Sequence, residues 1–355
     1  MFDQVTKKIL LFLGNPKIKA FDPKNAKTVL IRLWAKGIGD SIISTGAIRE
    51  LKKKYPHIKI YVMQRKNSLC VFDGNPNVEK AYSPSIYNYL RLRNKIDVYI
   101  DFKHVVKIRK FLVYRLLNPK KILYSLRSYK YGLKDADFSY YKDSPFADKF
   151  TDHGHDNVFN SFLAFDIAPR KREYDLHCSK EDIMTADRYW KKDKKRVILN
   201  IYGANRMLDV SKIISTMNNL QKDFHNLDIL IPFSNKTKKG SLPLCYSSKN
   251  GSGVLNARLA YKTTPKQLFA LVQSSDTVIS VDTSIIHIAS AFNKPTVCFI
   301  EKEQLSWRPI SDNNSLILCT VMHANDGIKC YDFDSKRAEN ELRVMLYLPK
   351  IADTL

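Results

Sequence analysis

Short runs of β-branched and aliphatic residues alternate with stretches whose apolar positions recur every three to four residues. That alternation predicts parallel sheet covered by helices on both faces. In the first half the strand-like runs are 28–33, 58–63 and 97–102. The first leads through a glycine-containing turn into a helix over about 40–54, with Ile43, Ala47, Ile48 and Leu51 at its buried positions and Pro56 past its end. A helix over 180–191 opens a second series. Its strands are 196–201, 227–232, 277–281 and 296–300, separated by helical stretches near 211–222, 265–274 and 284–292. Between the two series, the polar, aromatic-rich stretch 124–156 reads as long loops and 169–178 as an interdomain linker. No internal repeat or low-complexity segment is evident.

The expectation is an α/β chain of two lobes. Residues 1–175 form an N-terminal lobe and 176–335 a C-terminal lobe, and a segment over 336–355 packs back toward the N-lobe. At 355 residues, two domains of roughly 150 residues are the natural division. Two sheets in series would put the working cleft between them, at the carboxyl ends of their strands.

Charge changes this picture most. The chain has 59 Lys and Arg against 35 Asp and Glu, a net +24. That excess favours a polyanionic partner: nucleic acid, an anionic membrane surface or a phosphorylated substrate. It is uneven, with ten Lys or Arg and no acid between Asp101 and Asp135. Within that stretch Val105, Ile108, Leu112 and Leu116 recur at helical spacing beside Lys107, Arg109, Lys110 and Arg115, so the stretch reads either as an amphipathic helix lying on anionic lipid or as an ordinary surface helix. No run approaches the ~18 apolar residues a membrane span needs. The apolar core of 7–14 is five residues long and Asn15 and Pro16 follow at once, so it is not read as a secretory leader and the chain is expected in the cytoplasm. The six cysteines are scattered without a C-x-x-C pair, which excludes a zinc ribbon or disulfide framework and leaves Cys298 as an apolar strand residue.

Two segments carry candidate chemistry. In the first, Lys36, Gly37, Gly39 and Asp40 lie between strand and helix. The glycines permit a tight turn and close ligand approach, but position 42 is Ile, so the dinucleotide fingerprint is incomplete. Asp40 is either a helix cap or a general base that takes the proton from an acceptor hydroxyl. In the second, a strand runs into Asp282, Thr283 and Ser284 at a helix start, with His287 one turn further on. Backbone N–H groups, the positive end of the helix dipole and two hydroxyls would suit a diphosphate. The plainer reading makes Asp282 a cap and His287 a partly buried helix residue.

Together, at this separation, the two segments resemble glycosyltransferase family 9, the ADP-heptose:lipopolysaccharide heptosyltransferases. The family's first motif, roughly strand–Arg–x–Gly-Asp–helix–Pro-Ala-Leu, is matched by Arg32, Gly39, Asp40, Gly46, Ala47 and Ile48. Its second, D-T-G-x-x-H-x-A-A, is matched at Asp282, Thr283 and His287. Residues 30–65 and 270–310 carry the resemblance and the middle of the chain does not. The resemblance implies a GT-B fold of two Rossmann-like lobes with parallel sheets facing a central cleft. It also implies inverting transfer without a metal or cofactor. Asp40 would be the base, and Asp282, Thr283, Ser284, His287 and Arg206 would bind donor. Gly39, Lys36 and Arg32 would serve the acceptor side or its loop. Three departures stand out: Ser284 replaces the family's glycine, Gly46 replaces its proline, and the basic residue expected after the first C-lobe strand has two candidates, Arg206 and the weaker Lys212.

The function expected from this is heptose transfer from ADP-heptose to a lipopolysaccharide or lipooligosaccharide core. The partners would be a nucleotide-diphosphate sugar, a lipid A-core acceptor and the anionic inner face of a bacterial inner membrane, with no nucleic acid. A family-9-like enzyme using another nucleotide sugar, hexose or hexosamine, is the alternative, and a non-enzymatic polyanion-binding protein is the remote one.

Overall fold

The computed structural model describes residues 2–14, 21–33, 37–102, 107–124, 133, 137, 153–168, 172–233, 242–245, 253–254, 256–260, 263–323 and 327–347. Contacts divide the chain into two compact units, Met1–His177 and Cys178–Leu355.

The first unit opens with helix α1 (Phe2–Gly14), followed by strand β1 (Thr28–Arg32), helices α2 (Ile38–Ile43) and α3 (Thr45–Lys54), strands β2 (Lys59–Met63) and β3 (Lys80–Tyr82), helix α4 (Ile86–Arg91), strand β4 (Val98–Asp101), helix α5 (Ile108–Leu117), strand β5 (Lys121–Tyr124) and helix α6 (Gly154–Phe159). The five strands are all parallel, in the order β3-β2-β1-β4-β5. Helices on both faces leave the central strands no solvent side, which is why β1 and β4 read as near-continuous apolar runs. The helix expected over 40–54 starts earlier, at Ile38, and breaks at Ser44; Ile43, Ala47, Ile48 and Leu51 are buried as expected.

The stretch read either as a lipid-lying or as an ordinary surface helix contains α5, with Ile108 and Leu116 half-buried against the first unit's core. Val105 lies outside the described residues, and Leu112 of α5 points outward at 47% exposure. The inner face is instead Phe111, Tyr114 and Leu117, packed into the first unit's core. Two of the helix's cations are also engaged inside the fold. Lys110 Nζ lies 2.8 Å from the fully buried Asp101, which also accepts from Tyr114 at 2.9 Å. Arg115 donates to the Phe12 and Leu13 carbonyls at the end of α1. Two bulky aromatics three apart, plus a buried carboxylate calling for a counter-charge, set the helix's rotation.

The second unit contains helix α7 (Lys180–Asp187), strands β6 (Lys195–Asn200) and β7 (Arg206–Leu208), helix α8 (Val210–Asp223), strands β8 (Leu227–Pro232) and β9 (Ala257–Ala260), helix α9 (Pro265–Gln273), strand β10 (Thr277–Val281), helix α10 (Ser284–Ala291), strands β11 (Thr296–Glu301), β12 (Asn314–His323) and β13 (Lys329–Asp332), and helix α11 (Ser335–Tyr347). Its sheet runs β7-β13-β12-β11-β10-β6-β8-β9. The long β12 changes partner halfway. Asn314–Cys319 pairs parallel with β11, and Thr320–His323 pairs antiparallel with β13. That switch swings the β13–β7 ribbon round until β7 meets β10, and the curled sheet becomes a half-barrel. Helix α11, in the segment expected to turn toward the first lobe, buries Ala338, Leu342, Met345 and Leu346 in the second unit's own core, against α8; residues 348–355 lie outside the described ones.

Candidate functional site

In an open parallel sheet a crevice forms where successive strands depart in opposite directions, outside their carboxyl ends. The first unit has this point between β1 and β4, the second between β6 and β10. Both candidate segments lie there.

In the first unit, α2 leaves the end of β1 with Gly37 as its N-cap, so Asp40 is the third helical residue rather than the cap itself. The Gly37 N–H donates to Oδ2 of Asp40 at 3.4 Å. Buried Gln64, past β2, donates to Ser41 Oγ at 2.6 Å, and Ser41 donates in turn to the Gly37 carbonyl at 3.1 Å. The turn is braced from behind while Asp40 keeps an exposed surface. Partial burial of its carboxyl pushes the pKa of Asp40 above the ordinary 3.8, against the weaker pull of the Gly37 N–H, which makes it a stronger base than a free aspartate. Gly39 is buried in the turn and Lys36 lies outside the described residues. Arg32, expected on the acceptor side, is 4% exposed. It donates to Tyr89 Oη at 2.9 Å and is the register partner of Asp101, so it belongs to the charged floor beneath the turn.

Gly46 has a packing reason. A Cβ there would lie 2.2 Å from the Glu173 carbonyl oxygen and 3.3 Å from His155 Nε2, so no side chain fits.

In the second unit, Thr283 caps α10, and its hydroxyl accepts from the Ile285 N–H at 3.3 Å. Asn200, at the end of β6, donates to Ser280 Oγ at 2.9 Å and to Thr283 Oγ1 at 3.3 Å across the crevice. The Thr283 hydroxyl is thus engaged in holding the turn, and Ser284 is the first residue of the helix that follows. Arg206 Nη1 lies 2.6 Å from Asp282 Oδ2. Gly203 allows this approach, because a Cβ there would meet Arg206 Cγ at 2.6 Å and Thr283 Cγ2 at 3.2 Å. Lys212, the other basic candidate, is bonded to Asp332 and to the Phe333 carbonyl instead. His287 is 5% exposed, one turn into α10. The structure therefore brings Arg206, Asp282, Thr283 and Ser284 together, with His287 enclosed behind them.

Sequence reading missed Asn200, Glu301, Lys329 and Tyr331. Glu301 ends β11 beside Asp282, and accepts from Tyr331 Oη at 2.5 Å and from Lys329 Nζ at 2.9 Å. The alternating Lys329 and Tyr331 were a readable strand signal, but their convergence on Glu301 depends on the curl of the sheet. Among the described residues no three His, Cys, Asp or Glu side chains converge as a metal site requires, and no helix is long and apolar enough to cross a membrane.

Residues 219–330 match the model of glycosyltransferase family 9 (heptosyltransferase). The chain is 25% identical over 312 residues to the putative lipopolysaccharide heptosyltransferase 4 of Escherichia coli (strain K12), covering 82% of this chain and 79% of that protein. Among solved structures, the ADP-heptose LPS heptosyltransferase II of E. coli superposes with a TM-score of 0.67 at 15% identity, over 90% of this chain and 98% of that one. The E. coli heptosyltransferase WaaC with ADP gives 0.68 at 14%, over 90% and 99%. These structural likenesses establish the GT-B fold.

Proposed function

We infer that this chain, a glycosyltransferase of family 9, moves a heptose from ADP-heptose to a lipopolysaccharide core acceptor, with inversion and without a metal. The observation that carries this reading is the second unit's switch point. There α10 begins at Ser284 directly after Asp282 and Thr283, so the positive end of its dipole lies beside Arg206, which is held at 2.6 Å from Asp282. Such a site is suited to the diphosphate of a nucleotide sugar.

In this mechanism the acceptor hydroxyl attacks the anomeric carbon from the side opposite the diphosphate. The new C–O bond forms as the C–O bond to the β-phosphate breaks, and Asp40 takes the hydroxyl proton. Charge developing on the leaving diphosphate is met by the α10 N-terminus and Arg206, the role a divalent cation fills elsewhere. Asp282 orients Arg206 and His287 supports the donor from within α10. Gly39 and Lys36 shape the acceptor-side turn.

The +24 charge suits an acceptor bearing lipid A phosphates and a place on the anionic cytoplasmic face of the inner membrane. A thermal-shift screen against ADP, UDP, GDP and CMP tests the donor. Stabilisation by ADP is expected, and stabilisation by UDP alone would replace heptose with a hexose or hexosamine donor.

A further inference from the structure

A second ion pair stands beside Arg206 on the same ribbon. Lys329 is its register partner in the parallel β13–β7 pair, so the two side chains leave one face next to each other. Tyr331 follows two residues on and shares that face. Across the curl of the same sheet, β10 and β11 are neighbours, and each runs out into a carboxylate: Asp282 past β10, and Glu301 as the last residue of β11.

The result is two cations from the ribbon, each matched to a carboxylate from the sheet. Arg206 lies 2.6 Å from Asp282. Lys329 lies 2.9 and 3.2 Å from the two oxygens of Glu301. Glu301 is 5% exposed and Tyr331 is fully buried, whereas the Lys329 side chain keeps 35% of its surface. Burial pushes the Glu301 carboxyl up, but the Tyr331 and Lys329 hydrogen bonds and the charges of Lys329 and Arg206 outweigh it and hold the group ionised.

Burying carboxylates against cations is a weak way to stabilise a fold, because desolvation offsets most of the attraction. Here the carboxylates are enclosed while the Lys329 side chain is partly open, which is the arrangement of a cation aimed by its counter-ion. Arg206 Nε is itself buried with no hydrogen-bond partner among the described residues. Two adjacent cations match an anion with two charged centres.

We propose that Lys329 is a second cation for the donor's diphosphate, and that Glu301 and Tyr331 are positioning residues that hold its ammonium beside Arg206. The proposal rests on the donor-site reading above. Breaking the sugar–phosphate bond leaves new negative charge on the β-phosphate, and a second preorganised cation stabilises it without reorganisation.

The test is calorimetric binding of ADP and AMP to the full chain, since a residue that serves the second phosphate acts on ADP and spares AMP. Lys329→Met is expected to weaken ADP about tenfold or more, to leave AMP within about twofold, and to be largely rescued by Lys329→Arg. Glu301→Gln keeps size and removes the counter-charge, and is expected to shrink the preference for ADP over AMP. It also carries the test if Lys329→Met fails to fold. ADP affinity unchanged in Lys329→Met, or equal losses for ADP and AMP, makes the cluster a brace for the half-barrel and overturns the proposal, while Arg206→Met still reports on the donor site. A wild-type protein that binds no nucleoside diphosphate at all sinks the donor-site reading and this inference with it.

Discussion

Arg206 crosses the bare backbone of Gly203 to bring Nη1 within 2.6 Å of Asp282 Oδ2. Arg206 could not hold this position with a side chain at 203, since a Cβ there would lie 2.6 Å from its Cγ. Gly203→Ala should therefore displace Arg206, while the added methyl leaves the backbone unstrained because Gly203 does not adopt a left-handed conformation. ADP affinity is expected to fall about tenfold, with a thermal midpoint within a few degrees of wild type. Unchanged ADP affinity would separate Arg206 from the donor.

Asp40→Asn removes the proposed base and leaves the second unit's residues unchanged. Transfer should drop by about 10²–10⁴-fold, with ADP binding preserved. Because a base acts only when ionised, kcat/KM should fall as pH decreases through a pKa above the ordinary 3.8 of an exposed aspartate. A normal turnover rate in Asp40→Asn would end the assignment.

His287→Ala is expected to weaken ADP binding about threefold to tenfold, the range for one lost hydrogen bond. Calorimetry on folded variant decides it, and an unaltered dissociation constant removes His287 from the donor site.

Gly46→Ala forces a methyl against the Glu173 carbonyl, 2.2 Å from an ideal Cβ. Overpacking of this kind costs about 1–3 kcal/mol, and backbone oxygen yields less readily than a side chain. Denaturant unfolding should show the loss, and an equally stable variant would mean that 172–174 moves freely.

Asp97 ties the start of β1 to β4. Its carboxylate accepts from the Lys27 and Thr28 N–H groups at 2.8 and 3.0 Å and pairs with Lys120 at 2.7 Å. Burial raises its pKa, but the Lys120 and backbone hydrogen bonds prevail and hold it below the ordinary value. A depressed folded pKa contributes stability above the unfolded pKa, and that contribution is lost as pH falls through the folded one. Asp97→Asn should be less stable than wild type at neutral pH by about 1–2 kcal/mol, and the gap should narrow below about pH 4. A gap independent of pH would exclude the charge as its cause.

The alternation of apolar runs and helical spacing was enough for the parallel core. Strands 227–232 and 277–281 fall where the pattern puts them, because a strand buried on both faces is rich in apolar residues, and the one carboxylate among them, Asp228, is paired with Arg258. The two candidate turns were also legible as strand-to-helix turns, since glycines, a carboxylate and a Thr-Ser pair beside a strand end are local signals. What local signals could not supply was rotation and return. Of the α5 stripe chosen from spacing, Ile108 and Leu116 pack half-buried while Leu112 faces out, because Asp101 draws Lys110 inward from another strand. Only the curl of the sheet at β12 sets Arg206 beside Asp282 and Lys329 beside Glu301, across separations of 76 and 28 residues. Composition and spacing determined which groups the chain carries and on what kind of element. Which cation meets which carboxylate was decided by the half-barrel, because a charge pair forms through space and pays no attention to order along the chain.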